Sequence, residues 1–389
     1  MDRSKWEYKK LGDICSKLTD GSHNPPKGIE NSDYRMISSQ NIFNNKIVLT
    51  DYRCLSKEDF EAEDKRTSLQ KGDLLLTIVG AIGRCYVLNG TEGNLTLQRS
   101  VAALTPKDNV HSRFLMYYFI ANNANLLEKA HGVAQKGIYL RQLSNLIVPI
   151  PAMADQQRIV AELDCLNEMI ALKQEQLKEF DKLAQSIFYD MFGDPISNDR
   201  GWELDALNSV CDVRDGTHDS PQYVEDGYPL ITSKNVVEGG ISFDDVNFIS
   251  EDDLNAINVR SRVDDGDIIM PMIGTIGKPV IVHKDREFAI KNVALIKFET
   301  SKDVLNIFIQ KMLSCSTYSK YILSLNRGGT QKFVSLKTIR NLPVPLPPLA
   351  LQQQFAEKIQ TIEAQKELVK KSTAETRQLL DSRMDYYFD

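Results

Sequence analysis

Two short segments of the chain carry residues in spacings that catalytic sites use. Asn24-Pro25-Pro26-Lys27 contains the Asn-Pro-Pro core with which adenine methyltransferases hold a flipped base, but Lys27 replaces the aromatic residue that would stack on it. No Gly-rich strand-turn-helix for S-adenosylmethionine precedes it. Asp51 and Glu63-Asp64-Lys65 have a loose nuclease-like spacing, within a charge-rich stretch typical of a solvated helix or loop. A phosphate-binding Gly-x-x-x-x-Gly-Lys-Ser/Thr loop is also missing. We therefore predict no catalytic residues and interpret Asn24–Lys27 as a turn.

Histidine and cysteine are the other side chains that catalysis or metal binding would use. His23 and His218 each end an Asp-Gly-Ser/Thr-His tetrapeptide, and two interpretations stay open: a hydrogen-bonded histidine in a turn, or a DNA contact. The six cysteines form no Cys-x-x-Cys pair, which argues against a metal site or a disulfide framework. They are interpreted as small buried residues in a reducing cytoplasm.

Length and composition place the chain among ordinary globular proteins. Its 389 residues favour two or three domains, with 42% hydrophobic and 26% charged residues. The longest apolar run, Leu74–Ile82, is much shorter than the roughly 20 residues of a membrane helix, so no membrane partner is expected. The first residues contain no apolar signal region, and we expect a cytoplasmic protein.

Charge is unevenly distributed, although the whole chain has a net charge of −6. Residues 1–73 have 13 basic and 13 acidic side chains, whereas residues 74–150 have 7 and 3. Residues 201–267 have 4 and 16, whereas residues 268–347 have 12 and 4. The second part of each half is therefore basic, which suits two phosphate-binding surfaces. Charge alone favours the alternative that these side chains are solvated faces of ordinary domains.

The strongest organisational feature is an internal repeat with a period near 195 residues. Matching segments recur in the same order, and a period this long indicates duplicated domains rather than a solenoid. The matches pair Trp6-Glu7 with Trp202-Glu203, Asp20-Gly21-Ser22-His23 with Asp215-Gly216-Thr217-His218, Ile37–Asn41 with Ile231–Asn235, Lys71-Gly72-Asp73 with Asp265-Gly266-Asp267, Gly80–Gly83 with Gly274–Gly277, Gln135-Lys136 with Gln331-Lys332, Val148–Pro151 with Val344–Pro347, and Gln156-Gln157 with Gln352-Gln353.

Each repeat consists of an α+β domain followed by a long helix. Leu74–Val79 and Asp267–Met270 have the pattern of buried strands after Gly-Asp turns, and helices are expected near Ser112–Leu127 and Val304–Leu323. The fold class is therefore α+β, with mainly antiparallel sheets in two tandem domains. The predicted segments are 1–150 (first domain), 151–195 (first helix), 196–347 (second domain) and 348–389 (second helix).

The long helices have the apolar spacing of a coiled coil. In the first, apolar residues recur every 3.5 positions from Ile159 to Met191, with Lys173 as the interruption. The second helix has the same seam with more polar interruptions. We predict that the two helices pair antiparallel, with Ala184 facing Ile359 and Leu163 facing Leu379 or Leu380. The alternative is two independent helices, each packed on its own domain.

With this organisation the chain resembles the specificity subunit of type I restriction-modification systems over essentially its whole length. The residues that carry the resemblance are Val148–Pro151 with Gln156–Val160, the two Asp-Gly-Ser/Thr-His tetrapeptides, the Gly-x-Ile-Gly turns and Gln331-Lys332. No one of them is specific, but their order, twice over, is. In the second helix Gln354-Phe355-Ala356 replaces Arg158-Ile159-Val160, so the partner contacts of the two helices need not be identical.

The resemblance implies a non-catalytic DNA-recognition subunit. Each α+β domain would be a target recognition domain that reads one half of an asymmetric, bipartite sequence in double-stranded DNA. The helices would set the spacing and dock two methyltransferase subunits, which carry the S-adenosylmethionine chemistry, so no cofactor and no metal are expected in this chain. Two motor-nuclease subunits would join for restriction.

DNA readers need hydrogen-bond donors directed at base edges and cations directed at phosphates. Residues shared by the repeats are expected to hold the backbone or the fold, whereas residues that differ, such as Gln40 against Lys234 and Arg84 against Lys278, are expected to read sequence. The expected DNA-binding residues are Ser39, Gln40, Asn41, Arg84, Arg99, Gln135 and Lys136 in the first domain, and Lys234, Asn235, Lys278, Lys291, Arg327, Gln331 and Lys332 in the second.

Two other functions would fit a duplicated chain. One is a self-contained DNA methyltransferase or nuclease with duplicated DNA-binding domains, against which the missing motifs argue. The other is a scaffold that binds only protein, which DNA binding in the presence of a methyltransferase partner would exclude.

Overall fold

The computed structural model describes residues 3–132, 136–237, 239–273, 278–299, 301, 303–325 and 333–388. The chain forms two compact units: residues 1–174 with 371–389 make unit 1, and residues 175–370 make unit 2. Each unit combines helices with mainly antiparallel sheets, which confirms the predicted α+β class in tandem copies. The segment boundaries proposed from the sequence stay a prediction.

Unit 1 begins with short strands and ends in a long helix that continues into unit 2. Its strands are β1 (Glu7–Lys10), β2 (Cys15–Asp20), β3 (Tyr34–Ile37), β4 (Ile42–Phe43), β5 (Lys46–Ile47), β6 (Arg53–Cys54), β7 (Leu74–Thr77), β8 (Cys85–Val87), β9 (Asn94–Leu97), β10 (Val101–Pro106) and β11 (Ile147–Ile150). Its helices are α1 (Leu11–Ile14), α2 (Lys57–Thr67), α3 (Ser112–Ala121), α4 (Asn123–Glu128), α5 (Leu140–Ser144) and α6 (Met153–Phe192).

A four-stranded antiparallel sheet of order β2-β10-β7-β8 forms the centre of unit 1. Every residue of β7 is buried, as its continuous apolar run predicts, and Gly72 makes the turn before it with a φ of +91°. A smaller sheet of order β6-β3-β9 contains the parallel pair β3 and β9, and β1 pairs with β11. The central sheet packs on α3, whose Phe114 and Phe119 are fully buried.

Unit 2 repeats this arrangement strand for strand, with a central sheet of order β13-β21-β18-β19 and a smaller sheet of order β17-β14-β20. Its strands are β12 (Leu204–Ala206), β13 (Asp212–Asp215), β14 (Tyr228–Ile231), β15 (Val236–Val237), β16 (Gly240–Ile241), β17 (Asn247–Ile249), β18 (Ile268–Pro271), β19 (Val280–Ile281), β20 (Ala289–Ile290), β21 (Val293–Lys297) and β22 (Pro343–Pro345). Its helices are α7 (Leu207–Val210), α8 (Glu251–Ser261), α9 (Asn306–Ser314), α10 (Ser316–Ser324), α11 (Leu336–Arg340) and α12 (Leu349–Phe388), the last of which ends in unit 1.

The first glutamine of each Gln-Gln pair fixes the start of a long helix. The Gln156 side chain is fully buried, and its Nε2 donates to the carbonyl oxygens of Asn109 (3.0 Å) and Pro151 (2.9 Å), while its Oε1 accepts from the His111 amide (2.8 Å). The Gln352 side chain makes the same three contacts in unit 2. These bonds satisfy backbone groups of two loops, the one before the long helix and the one before α3 or α9, which would otherwise be left unpaired.

The predicted antiparallel helix pairing is visible within each unit. In unit 1 the end of α12 packs on the start of α6: Leu163 and Tyr387 share one buried cluster with the domain core, and Leu380, rather than the half-exposed Leu379, packs against it. Lys173, the interruption of the seam, donates from Nζ to Ser372 Oγ (2.8 Å) and Thr376 Oγ1 (2.6 Å).

In unit 2 the start of α12 packs on the end of α6. Ala184 and Ile359 lie in one buried cluster, as the seam predicted, and Phe188 provides the fully buried side chain next to the half-buried Ile187. Lys366 forms an ion pair with Asp181 across the helix pair, with 2.6 Å between Nζ and Oδ1. The seam therefore packs on the partner helix and on the domain core together.

Candidate nucleic-acid interface

Several loops of unit 1 meet at the end of the central sheet where β7 finishes. Ser100 ties them together, because its Oγ accepts from the Ser39 amide (3.0 Å) and its carbonyl oxygen accepts from the Ile78 amide (2.9 Å). The Ile78 carbonyl in turn accepts from the Ile138 amide (2.9 Å). We call residues 38–41, 78–84, 98–100 and 136–138 the loop edge of unit 1. This edge collects the described candidate residues of the first domain.

Asn41 holds this edge rather than projecting from it. The side chain is buried, its Oδ1 accepts from the Ser38 amide (2.9 Å), and its Nδ2 donates to the carbonyl oxygens of Val48 (3.0 Å) and Asp51 (2.8 Å). Gln40, one position earlier in the same short helical turn, is exposed. An asparagine at the end of a capped turn therefore fixes the backbone from which Gln40 projects.

A concave groove of about 790 Å³ lies beside this turn and brings together four candidate residues of unit 1. Ser39, Gln40, Asn41 and Arg99 all line it, and Arg99 is exposed. The groove therefore combines an amide and a guanidinium that can donate to bases or phosphates with an edge held by backbone hydrogen bonds.

Arg84 and Lys136 belong to the same loop edge but not to the groove lining. The Arg84 guanidinium lies 5.2 Å from the centre of the Phe43 ring, and its Nη1 donates to the Ile42 carbonyl oxygen at 3.3 Å. Arg84 therefore holds the β4–β5 hairpin as well as offering charge. Lys136 is exposed, and its carbonyl oxygen accepts from the Gly80 amide at 3.2 Å.

Unit 2 builds the equivalent loop edge from residues 232–235, 272–273, 290–292 and 333–334. The Lys291 amide donates to the Ile231 carbonyl oxygen (2.8 Å), as the Gln98 amide does to Ile37 in unit 1 (2.8 Å). Asn235 is buried and repeats the role of Asn41, whereas Lys234 is exposed in the position of Gln40.

The remaining candidates of the second domain divide into two groups. Lys291 donates from Nζ to Ser220 Oγ at 2.6 Å, and Lys278 is exposed. Three others, Arg327, Gln331 and Lys332, lie outside the described residues, as does Gln135 of the first domain. For all candidate residues, DNA contact stays a prediction.

The Asp-Gly-Ser/Thr-His tetrapeptides form the same hydrogen-bonded turn in both units. His23 Nε2 lies 2.8 Å from Oδ2 of the buried Asp20, which also pairs with Arg66. The glycine is required because a Cβ at Gly21 would come within 2.0 Å of the Leu97 carbonyl oxygen. These contacts match the interpretation of a hydrogen-bonded histidine in a turn. The His23 side chain is 53% exposed, so it is also accessible to DNA.

In unit 2 the equivalent histidine has a further partner. His218 Nδ1 lies 2.9 Å from Asn292 Oδ1, and Nε2 lies 2.9 Å from Asp215 Oδ2, which also pairs with Arg260. The hydrogen bonds to Asn292 and Asp215 raise the pKa of His218 above its ordinary value. The imidazolium is favoured because both ring nitrogens face oxygen atoms.

The groove also contains residues that the sequence did not single out for DNA binding. Asp51, Arg53 and Gln98 line it, and no pattern in the sequence marks them as DNA-binding, because Gln98 comes from a segment far along the chain from Asp51 and Arg53. Arg53 donates from Nη1 to the carbonyl oxygen of Pro26 (2.6 Å) and so holds the Asn-Pro-Pro segment, which is a loop. Glu63-Asp64-Lys65 lies within α2, the solvated helix that its charge pattern suggested.

Neither a metal site nor a membrane span is present in the described part of the chain. Its His, Cys, Asp and Glu side chains form no group of three that could hold a metal ion. Of the helices built from described residues, none is both long and apolar enough to cross a membrane.

Comparison with known proteins identifies the class of protein. A family model described as "Type I restriction modification DNA specificity domain" matches residues 3–181 and again residues 199–377. The two matches cover most of the chain, which therefore belongs to this family. It is a type I specificity subunit, a DNA-recognition subunit rather than a catalytic one.

Individual relatives agree with this assignment. The chain is 24% identical to the type I restriction enzyme MjaIX specificity subunit of Methanocaldococcus jannaschii, covering 92% of this chain and 86% of that protein. It is 21% identical to the EcoBI specificity subunit of Escherichia coli, covering 72% and 65% of the two chains.

Solved structures share the fold. A chain from a study of complex assembly and conformational transition of a type I restriction-modification system is similar with a TM-score of 0.60 and 18% identity, over 99% of this chain and 97% of that one. The type I S subunit from M. genitalium is similar with a TM-score of 0.55 and 14% identity, over 97% and 95%. The alternative of a self-contained methyltransferase or nuclease has no support among these relatives.

Proposed function

We propose that each unit reads one half of an asymmetric, bipartite sequence in double-stranded DNA through its loop edge. The observation that carries this proposal is that the same edge is built twice, with corresponding positions occupied by different polar side chains. Gln40 and Lys234 occupy one such position, each next to a buried asparagine. Two similar scaffolds with different donors suit the reading of two different half-sites.

The long helices provide the second part of the proposal. We infer that α6 and α12 dock two methyltransferase subunits, which bind S-adenosylmethionine and carry out methyl transfer, and that their length sets the spacing between the half-sites. Two motor-nuclease subunits would join the complex when it restricts DNA. The paired helices leave apolar side chains such as Leu172 and Leu368 exposed, which supports protein contacts along them. Such a complex would act on DNA in the cytoplasm.

Exchange of one unit's recognition segment tests this function. Replacing residues 1–150 by the corresponding segment of a related subunit, with the native methyltransferase partner present, should change one half of the methylated sequence. The other half and the spacer should stay as they were. Mapping methylated adenines across a genome measures the result, and a change in both half-sites would contradict the division of labour. Methyl transfer from labelled cofactor by the purified chain alone would contradict its non-catalytic role.

A further inference from the structure

An exposed ion pair stands on the loop edge of unit 2, where DNA contact is proposed. Lys234 lies in the short helical turn Ser233–Asn235, and its Nζ is 2.7 Å from Asp245 Oδ2. The two side chains are 51% and 88% exposed, so both charged groups are within reach of a ligand. A pair this exposed typically contributes only about 0 to 1 kcal/mol to stability, so the fold has little need of it.

One buried residue holds the backbone at both ends of this pair. Asn235 follows Lys234 directly, accepts from the Thr232 amide through Oδ1 (3.0 Å) and donates from Nδ2 to the Asp245 carbonyl oxygen (2.9 Å). The Asn235 side chain is only 2% exposed. The ammonium and the carboxylate therefore project from two segments that are fastened to each other, which preorganises them as a unit.

Unit 1 repeats the placement of the aspartate but not of the lysine. Asn41 donates from Nδ2 to the Asp51 carbonyl oxygen at 2.8 Å, and Asp51 lines the groove together with Gln40. An aspartate is thus fastened beside the same turn in both units, with glutamine at the neighbouring position in one and lysine in the other. The aspartate is therefore common to both loop edges, whereas the residue beside it differs between them.

A carboxylate on a DNA-facing edge repels phosphates, so its presence needs a compensating contact. The major groove offers one, because the cytosine N4 amino group donates to Asp or Glu, while guanine O6 and N7 accept from Lys or Arg. These groups lie side by side in one C·G pair. The Lys234–Asp245 pair presents a donor and an acceptor side by side as well.

We propose that Lys234 and Asp245 together read one C·G pair in the half-site of unit 2, the ammonium donating to guanine and the carboxylate accepting from cytosine. This inference rests on the proposed function. In unit 1 the equivalent pair, Gln40 with Asp51, offers an amide in place of the ammonium and selects a different base pair. The aspartates are thus specificity-determining residues that no motif in the sequence marks.

The test uses the full chain with its methyltransferase partner and compares Asp245→Ala, Lys234→Ala and a matched control, Asp285→Ala. Asp285 pairs with Arg286 on the surface of the same unit, with 2.9 Å between Oδ2 and Nη2 and 63% of the Asp285 side chain exposed. Asp285 follows Val282 by three residues, and the Val282 amide donates to the carbonyl oxygen of Asp267 (2.8 Å), the residue just before β18. The loop edge, in contrast, follows the end of β18. Alanine at position 245 keeps the carbonyl oxygen that Asn235 holds.

Asp245→Ala and Lys234→Ala are both expected to relax preference at one and the same C·G pair, with discrimination lost by roughly 5- to 150-fold. Asp245→Ala should also strengthen binding to unrelated DNA, since a negative charge is removed, and Asp285→Ala should change neither. Methylation motifs and competition binding measure these effects. An unchanged motif with a uniform change in affinity would show a surface ion pair only, and a change at an A·T pair would refute the assignment. If the unaltered complex methylated without sequence preference, the proposed function itself would fall, and this inference with it.

Discussion

Truncation of one buried glutamine should destabilise unit 1 far more than truncation of its neighbour. Gln156→Ala removes a side chain that is fully buried and leaves three backbone groups unpaired: the carbonyl oxygens of Asn109 and Pro151 and the amide of His111. A buried group that loses its partner costs about 1 to 3 kcal/mol. Allowing for partial access of water, we expect a loss of about 3 to 5 kcal/mol in the free energy of unfolding.

The adjacent residue provides the control. Gln157 lies on the same helical turn and is exposed, so Gln157→Ala should change stability by less than about 0.5 kcal/mol. In a unit of this size 1 kcal/mol corresponds to roughly 2 to 4 °C, so Gln156→Ala should lower the melting temperature by roughly 6 to 20 °C. Calorimetry and urea denaturation of the full chain measure both variants. Equal melting temperatures for the two would refute the role given to Gln156, and the Gln352 and Gln353 pair offers an independent repetition in unit 2.

Three further outcomes follow from single contacts. Arg99→Ala should lower the slope of log affinity against log salt by about 0.9 if Arg99 contacts one phosphate, measured by DNA binding of the assembled complex; an unchanged slope would remove Arg99 from the phosphate contacts. Lys297→Met should cost about 3 to 5 kcal/mol by urea denaturation, because it leaves the buried Asp267 carboxylate without its ammonium, and a neutral effect would show that Asp267 is protonated. The hydrogen bond from Arg383 lowers the pKa of Glu162, so its contribution to stability is present above the ordinary glutamate pKa and is lost as pH falls through the folded value; Glu162→Gln should therefore destabilise at neutral pH, with a difference that shrinks below about pH 4.

Much of the fold was predictable because the same order of motifs occurs twice in the sequence. The buried strands β7 and β18 and the helix pairs α3–α4 and α9–α10 lie where apolar runs and turn residues placed them. The seam of α6 predicted its partner correctly, since a 3.5-residue period needs a second helix to pack against. The parallel pairing of β3 with β9 was not predictable, because the β4–β5 hairpin, β6, α2, β7 and β8 lie between the two strands in the chain.

The site was less predictable than the fold, and particular residues show why. Asn41 and Asn235 are among the expected DNA-binding residues, but because both repeats share them the sequence also indicates a role in holding the backbone, and both are buried and hold their own turns. The sequence indicates a solvated, charge-rich stretch around Asp51, and only the hydrogen bond from Asn41 places this residue beside Gln40. Such long-range placement depends on tertiary contacts, which local patterns do not contain.

A position can differ between the repeats because the fold meets the same requirement in another way, or because the fold leaves that position free to vary. A buried ion pair is an example of the first kind. Asp73 and Asp267 occupy equivalent places before β7 and β18, but Asp73 pairs with Lys17 from β2 (3.1 Å), whereas Asp267 pairs with Lys297 from β21 (2.8 Å). The lysine has moved to the neighbouring strand, and the requirement for one ammonium beside a buried carboxylate is met in both units.

The difference between Gln40 and Lys234 is of the other kind. Asp51 and Asp245 stand beside these positions in both units, yet only unit 2 has a lysine there. If the fold required the ammonium, unit 1 would need a substitute, as the core does for Asp73. Because both carboxylates are at an accessible edge, water can satisfy them, and the fold leaves the neighbouring side chain free to vary. The reading of two different half-sites requires a position whose backbone is fixed and whose side chain is free to vary. This combination distinguishes the loop edges from the rest of the duplicated scaffold.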